Sequence, residues 1–225
     1  MNTIPVITID GPSAAGKSTL CNKIASILKW SVLESGILYR VLAFITIKNR
    51  IPISEKNIIF FAKQLNFNLV QKFNKTLIFL NGKNISNDII STEISHIASR
   101  LAVFPNIRTV LLNKQRCFRK LPGLVANGRD MGTIVFPDAC IKFFLYANLN
   151  IRVKRRMKEL KRSGFKVSFN QLLLEIKKRD NLDSNRKLSP LIPATNAIML
   201  NSTNISITEI VNLSMQYIRK IIFIK

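Results

Sequence analysis

Near the amino terminus, Gly11-Pro12-Ser13-Ala14-Ala15-Gly16-Lys17-Ser18 follows the spacing G-x-x-x-x-G-K-[ST] and lies where a strand should give way to a helix. The glycines let the backbone wrap a polyphosphate with its N–H groups turned inward, Lys17 supplies a cation for the β and γ oxygens, and the Ser18 hydroxyl suits Mg²⁺. Before the loop, Val6-Ile7-Thr8-Ile9 is a β-branched run of the kind found in a parallel strand covered on both faces. After it, Leu20, Ile24, Ile27 and Leu28 recur at helical spacing, so the helix would aim its N-terminal dipole at the phosphates. Strand, loop and helix together imply a bound nucleoside triphosphate.

At 225 residues the chain can bury one sizeable core with a small inserted lobe, but it is short for two full domains. No apolar run approaches the ~18 residues needed to span a bilayer. Met1 to Ile9 lacks the basic start and small-residue cleavage site of a signal peptide. Cys21, Cys117 and Cys140 are far apart and outside any C-x-x-C spacing, which argues against a disulfide framework or zinc and points to a reducing cytoplasm. The net charge of +23 has two readings, a nucleic-acid partner or a composition rich in isoleucine, lysine and asparagine throughout. The lysines are scattered, and neither a helix-turn-helix nor an aromatic stacking motif accompanies them, so the second is favoured. A monomer with no membrane partner and no obligate nucleic-acid partner is expected.

Along the chain, Trp30 to Leu33 reads as a second strand and Ile37 to Ile47 as a helix, giving β-α-β-α order. A further helix is predicted from a Ser54 cap to Gln64. Phe67 to Val70, Thr76 to Leu80 and Asn84-Ile85 then read as a small antiparallel insert, separated by Asn74-Lys75 and Asn81-Gly82-Lys83. Helical pattern returns from Ile89 to Leu101 and again after Pro105. Leu124 to Asn127 and Lys142 to Leu145 read as core strands bracketing Gly128-Arg129-Asp130-Met131-Gly132-Thr133, polar residues well placed at a strand's carboxyl end to meet ligand. Asn150 to Arg162 is helical and basic, a second helix opens at Ser168 with Gln171 at capping-box spacing, Ile198 to Leu200 is a last strand, and Ser206 with Glu209 caps a closing helix.

Phosphoryl transfer asks mainly for positioning, water exclusion and positive charge. Arginine supplies it in four places: Arg40, Arg129 beside Asp130, the run Arg152, Arg155 and Arg156, and the pair Arg179 and Arg186. A basic hairpin between Ile151 and Phe169 would make a lid. Taken singly, each has a duller reading, since an arginine on a helix is most often a solvated face. Asp130 could pair with Arg129, Asp183 could be an ordinary helix-end carboxylate, and His96, amid Ile94, Ile97 and Leu101, reads as a partly buried packing residue.

Jointly these residues resemble bacterial cytidylate kinases almost end to end, from Pro5 to Pro12 through Ser35-Gly36-Ile37-Leu38-Tyr39-Arg40, the β insert, Phe104-Pro105 with Arg108, the Gly128 to Thr133 stretch, the lid, and Ile176 to Asp180 leading to Asp183 and Arg186. The resemblance implies a three-layer α/β phosphate-loop NTPase fold: a parallel core sheet with helices on both faces (about 1–52, 102–150 and 190–225), a β-rich acceptor insert (about 53–101) and a short lid (about 151–169). It implies γ-phosphoryl transfer from ATP to CMP or dCMP with Mg²⁺. ATP contacts would come from Gly11, Pro12, Ser13, Ala14, Ala15, Gly16, Lys17, Ser18 and Thr19, with Ser18 on the metal through the phosphates. Ser35, Ser99, Arg108 and Asp130 would surround the cytosine end. Arg40, Arg129 and Arg186 would clamp the acceptor phosphate, and Arg179 and Asp183 would touch its phosphate or sugar. The catalytic set would be Lys17, Arg129, Arg155 and Arg156.

Cytosine offers an exocyclic amine that Asp130 can accept, with N3 and O2 left for Arg108 or a serine; uracil reverses this pattern and would leave polar groups unpaired. Four positions depart from the family pattern: Ala14 and Ile90 stand where glycine and arginine are common, and Glu34 and Asn127 where aspartate is. Ala14 adds a methyl group that matters if its backbone needs positive φ. The same fold acting on UMP or a shikimate-like alcohol, and a nucleotide-switched RNA binder, are the competing readings.

Overall fold

The strand that feeds the glycine-rich loop, β1 (Val6–Asp10), is buried along its whole length. It forms the centre of a five-stranded sheet in the order β2 (Ser31–Glu34), β6 (Leu124–Gly128), β1, β7 (Ile141–Tyr146) and β8 (Ile198–Asn201), with every pair parallel. The computed structural model describes residues 4–72 and 75–222, and these divide into two compact units. The sheet belongs to the first unit, 1–34 with 115–225; the second is 35–114. Asn74, placed in a turn by the sequence reading, lies outside the described residues, as do the first three residues of the Met1 to Ile9 segment.

Alternation along β1 sorts its side chains onto two faces. Ile7 and Ile9 join Val125, Phe143 and Leu200 in a buried layer closed by α1 (Lys17–Leu28) through Leu20, Cys21 and Ile24 and by α8 (Ile207–Ile222) through Ile210, Met215 and Ile218. Each such side chain contributes roughly 1.5–3 kcal/mol by leaving water. The other face carries Thr8 and Asp10 to the turn Met131–Val135, where Gly132 approaches so closely that a Cβ would lie 2.8 Å from Thr8 Oγ1. Register sets Asp10 beside Gly128 and Phe144, so the loop after β1 and the polar stretch after β6 emerge side by side. β1 is also where the strand order reverses, the position at which α/β sheets bind ligands.

Two helices complete the first unit between β7 and β8, α6 (Leu149–Arg162) and α7 (Phe169–Asn185). The segment expected as a lid, 151–169, is thus mostly α6 followed by a turn at Ser163-Gly164, with Gly164 at φ +85°. The capping box at Ser206 forms, Ser206 N–H donating to Glu209 at 2.7 Å and Glu209 N–H to Ser206 Oγ at 3.2 Å. The one expected at Ser168 does not; Gln171 instead reaches Glu175, its partner one turn on. Ile27, expected on the buried stripe of α1, is exposed because that stripe runs through Leu20, Cys21, Ile24 and Ala25.

The second unit holds α2 (Ser35–Lys48), α3 (Glu55–Gln64), an antiparallel sheet of β3 (Asn68–Lys72), β4 (Lys75–Leu80) and β5 (Lys83–Asn84), then α4 (Thr92–Leu101) and most of α5 (Pro105–Arg116). Ser54 caps α3 by accepting from Asn57 N–H. Leu80 pairs with Lys83, leaving Asn81 and Gly82 as a two-residue turn with φ of +49° and +77°, the combination that matches strand twist. The helix expected from Ile89 starts later, because Ser91 is extended and its hydroxyl caps Ile94 N–H at 3.2 Å; a 3-10 turn, Asp88–Ile90, precedes it. His96 is exposed, correcting its expected role in packing: α4 buries Ile94, Ile97, Ala98 and Leu101 on the opposite face.

Three residues of the loop, Gly11, Ala14 and Gly16, have positive φ. Gly11 has φ +145° and leaves no room for a side chain, since a Cβ there would sit 2.0 Å from Leu145 O; Gly16 has φ +102°. Ala14, where the family resemblance puts glycine, also has positive φ, +57°. For an L-residue this conformation costs roughly 1–2 kcal/mol. Ala14→Gly should therefore raise stability by about 1 kcal/mol in urea unfolding, after the entropy glycine adds to the unfolded chain is deducted; an unchanged or lower midpoint would contradict the strain.

Candidate active site

A loop that turns its amides inward must turn carbonyls outward, and each outward carbonyl needs a donor. Here cations supply them. Lys17 Nζ donates to Pro12 O at 2.6 Å, Arg152 Nη1 to Ser13 O at 3.2 Å, and Arg155 Nη1 to Ala15 O at 3.0 Å. The buried Ser202 hydroxyl, just beyond β8, adds a second bond to Ala15 O at 3.0 Å. Arg152 and Arg155 sit three apart on α6, so one face of that helix reaches alternate loop residues. Pro12, Ser13 and Ala15 are thus held by their carbonyls, and Ser18 and Thr19 are exposed on the first turn of α1. The Arg155 guanidinium lies on Ala15 O and Ser202, while Arg156 pairs with Glu159 at 2.8 Å.

At the carboxyl end of β1, Asp10 accepts from the backbone N–H of Met131 at 2.9 Å and of Gly132 at 2.8 Å. These bonds fix the turn that begins at Asp130, which is itself buried. Burial is the largest influence on Asp10 and raises its pKa from the ordinary 3.8 to about 6; the two N–H bonds oppose this, nearby Asp130 reinforces it and Lys17 opposes it. Lys17 is pushed well below the ordinary lysine value, first by burial and then by the charges of Arg129 and Arg179.

Beyond β6, Arg129 Nε donates to Asp183 Oδ2 at 2.6 Å, and Asp183 Oδ1 lies 3.9 Å from Arg186 Nη1. Burial works to raise the Asp183 carboxyl, but Arg129, Arg179 and Arg186 outweigh it and hold it below the ordinary value. Arg186 is further oriented by Ser189 O. Arg129, Arg179, Asp183, Arg186 and Lys17 therefore share one electrostatic neighbourhood in the first unit, with Asp130 one residue from Arg129.

The remaining expected acceptor residues belong to the second unit. Ser35 is buried and opens α2, Arg40 donates to Ile89 O at 3.2 Å, Ser99 Oγ to Ser95 O at 3.0 Å, and Arg108 to Ala102 O at 3.1 Å. Among the described residues no group of three His, Cys, Asp or Glu side chains could cage a metal. Mg²⁺ takes one or two protein oxygens beside substrate phosphates, and the Ser18 hydroxyl expected to serve it is exposed. Glu34, at the end of β2, accepts from Asn22 of α1 at 3.3 Å. Sequence reasoning missed Asp10, Asp180 and Ser202. Only Asp10 carried a signal, as a carboxylate closing an otherwise apolar strand.

A sequence model of the family described as Cytidylate kinase matches residues 7–220. The chain is 47% identical to "Cytidylate kinase" of Erwinia tasmaniensis over 219 residues, covering 97% of this chain and 96% of the relative. It is 46% identical to the protein of the same name from Shigella sonnei over 217 residues, 96% of each. Among solved structures, an uncharacterized protein from Eubacterium ventriosum shares the fold with a TM-score of 0.55 at 13% identity, covering 96% of this chain and 99% of that one. No helix among the described residues is long and apolar enough to cross a membrane.

The raised pKa of Asp10 has a defined sign. The folded state holds this proton more tightly than the unfolded chain, so the contribution is favourable below about pH 4 and declines as pH rises through about 6. At about 1.4 kcal/mol per pH unit, the gap between 3.8 and about 6 corresponds to roughly 3 kcal/mol. The stability of the wild type relative to Asp10→Asn should fall by that amount between pH 4 and pH 7 in urea titrations, and a difference that stays flat across this range would refute it.

Proposed function

The chain belongs to the cytidylate kinase family, and from that premise we propose how its residues carry the γ-phosphoryl of ATP to CMP. The enzyme is an ATP-dependent phosphotransferase of the phosphate-loop α/β class. What carries the residue assignment is the convergence at the carboxyl edge of the sheet: a phosphate loop whose outward carbonyls are satisfied, beside a buried carboxylate that gathers Arg129, Arg179 and Arg186. That much cationic charge, organised by one carboxylate, suits an acceptor that is itself a phosphate monoester.

In the proposed scheme the loop from Gly11 to Thr19, through those of its backbone amides that turn inward, and the Lys17 ammonium hold the donor phosphates. Mg²⁺, bound by Ser18 and the phosphates, would neutralise charge on the β and γ oxygens. Arg40, Arg129 and Arg186 hold the CMP phosphate, Arg179 and Asp183 its phosphate or sugar, and Ser35, Ser99, Arg108 and Asp130 the cytosine end. An oxygen of the CMP phosphate attacks the γ phosphorus in line, the bond from that phosphorus to the bridging oxygen of ADP breaks, and CDP forms. Arg129, with Arg155 and Arg156 from α6, balances charge on the transferring group. The attacking oxygen is already anionic, so no general base is needed. dCMP serves as a second acceptor, and the enzyme works as a cytoplasmic monomer.

Two measurements test this. In a coupled ADP assay, CMP and dCMP should drive turnover, with UMP disfavoured by about 10²-fold or more in kcat/KM because its reversed donor pattern leaves Asp130 and Arg108 unpaired; equal use of UMP would sink the base assignment. Lys17→Met should lower kcat by on the order of 10²–10³, the range seen on losing one preorganised donor to developing charge. Full activity in the folded variant would remove Lys17 from the mechanism.

A further inference from the structure

Asp180 has no part in the scheme above, yet it touches the phosphate loop. Its Oδ1 accepts from the Ser13 N–H at 3.4 Å, and its Oδ2 accepts from Arg152 Nη1 at 2.6 Å. The same Arg152 Nη1 donates to Ser13 O at 3.2 Å, while Arg152 Nε is fixed on Ala147 O at 3.0 Å, just past the end of β7. Ser13 is therefore gripped at both of its peptide groups, by a carboxylate on the N–H side and a guanidinium on the carbonyl side. The grip is largely out of water, with Arg152 9% and Asp180 21% exposed in their side chains, so removing either partner leaves the other poorly compensated.

One turn further along α7, Asp183 holds Arg129 at 2.6 Å. Residues three apart on a helix lie on one face, separated by about 4.5 Å along the axis. Two carboxylates of one rigid helix thus hold, respectively, the loop that receives the donor and the arginine assigned to the acceptor phosphate. We propose that Asp180 and Arg152 are positioning residues: with Asp183 on the same helix, they set the donor loop in register with the acceptor arginines. The inference rests on the phosphoryl transfer proposed above, because only a reaction between two separately bound phosphates needs such a register. In-line transfer requires reacting atoms about 3–3.5 Å apart, and a misplacement of about 1 Å can cost on the order of 10²-fold.

The test compares the wild type with Asp180→Asn, Arg152→Lys and the double variant, measuring kcat, both KM values and the thermal midpoint. The first variant keeps an oxygen that accepts from the Ser13 N–H but turns an amide donor toward Arg152, and the second keeps the charge but loses the fork. Each single variant should lose about tenfold in kcat with both KM values within about threefold, and the double should lose little more than either single, because the two act as one unit. Asp180→Glu, which restores the carboxylate, should recover part of the loss. Single variants with kcat within twofold of the wild type, losses that multiply in the double, or a loss confined to KM would each overturn the proposal. If Asp180→Asn does not fold, Arg152→Lys is decisive alone, near-wild-type kcat counting against the idea and a tenfold loss with unchanged KM for it. Absence of CMP-dependent ADP formation in the wild type itself would instead defeat the functional reading.

Discussion

A peptide loop can offer a row of amides to a phosphate only if the carbonyls that turn the other way are satisfied, and in this chain that requirement organises much of the first unit. Pro12, Ser13 and Ala15 present their carbonyls to Lys17, Arg152 and Arg155. The donors come from three sources: the loop's own helix α1, the helix α6, and, through Ser202, the strand end of β8. Gly11 lies against the backbone of Leu145 in β7 with no space for a methyl group, so the loop is also pinned by close contact with the sheet. Preorganisation of this kind lets backbone dipoles act on phosphate without reorganising at the moment of reaction.

Carboxylates do the complementary work. Asp10 ties the turn after Asp130 to the central strand, Asp183 gathers three arginines, and Asp180 closes on Ser13. Only 12 acidic residues oppose 35 basic ones in the whole chain, yet these three are spent on orienting backbone amides and guanidinium groups. The net charge of +23 is therefore a poor guide to the site. Its local counterpart, several cations arranged around a few buried acids, is what fits phosphate chemistry.

The sequence made the parallel sheet and the loop plain, because β1 is a largely β-branched, fully buried run that stops just before a glycine and the helix after it is periodic. Turn chemistry was equally plain at Asn81-Gly82, where two positive φ values need those residues. Errors arose where local signals compete. Ser91 can continue a helix or cap one, and only its extended backbone decides for the cap. Ser168 and Gln171 have the capping spacing, but Glu175 offers Gln171 a better partner. Within the site, Lys17 occupies a recognisable motif position, whereas Arg152 and Ser202, which also hold loop carbonyls, do not. Arg152 read as a phosphate ligand or a solvated arginine, and it is a buried brace for Ser13. That role depends on α6 lying against the loop, a tertiary fact with no local spacing to announce it.

The same geometry links anion binding to folding. Lys17 is held well below its ordinary pKa by burial and by Arg129 and Arg179, so these cations oppose one another in a medium that screens poorly. Polyphosphate entering that neighbourhood would favour the charged ammonium and relieve the repulsion, and a ligand that binds only the folded state stabilises it by mass action. A site that gains so much from an anion is necessarily less stable without one. The carboxylates of Asp10 and Asp183 are the built-in compensation: each lies close enough to Lys17 to raise its pKa, and each is also anchored to another element, to the Met131 and Gly132 amides or to the Arg129 guanidinium.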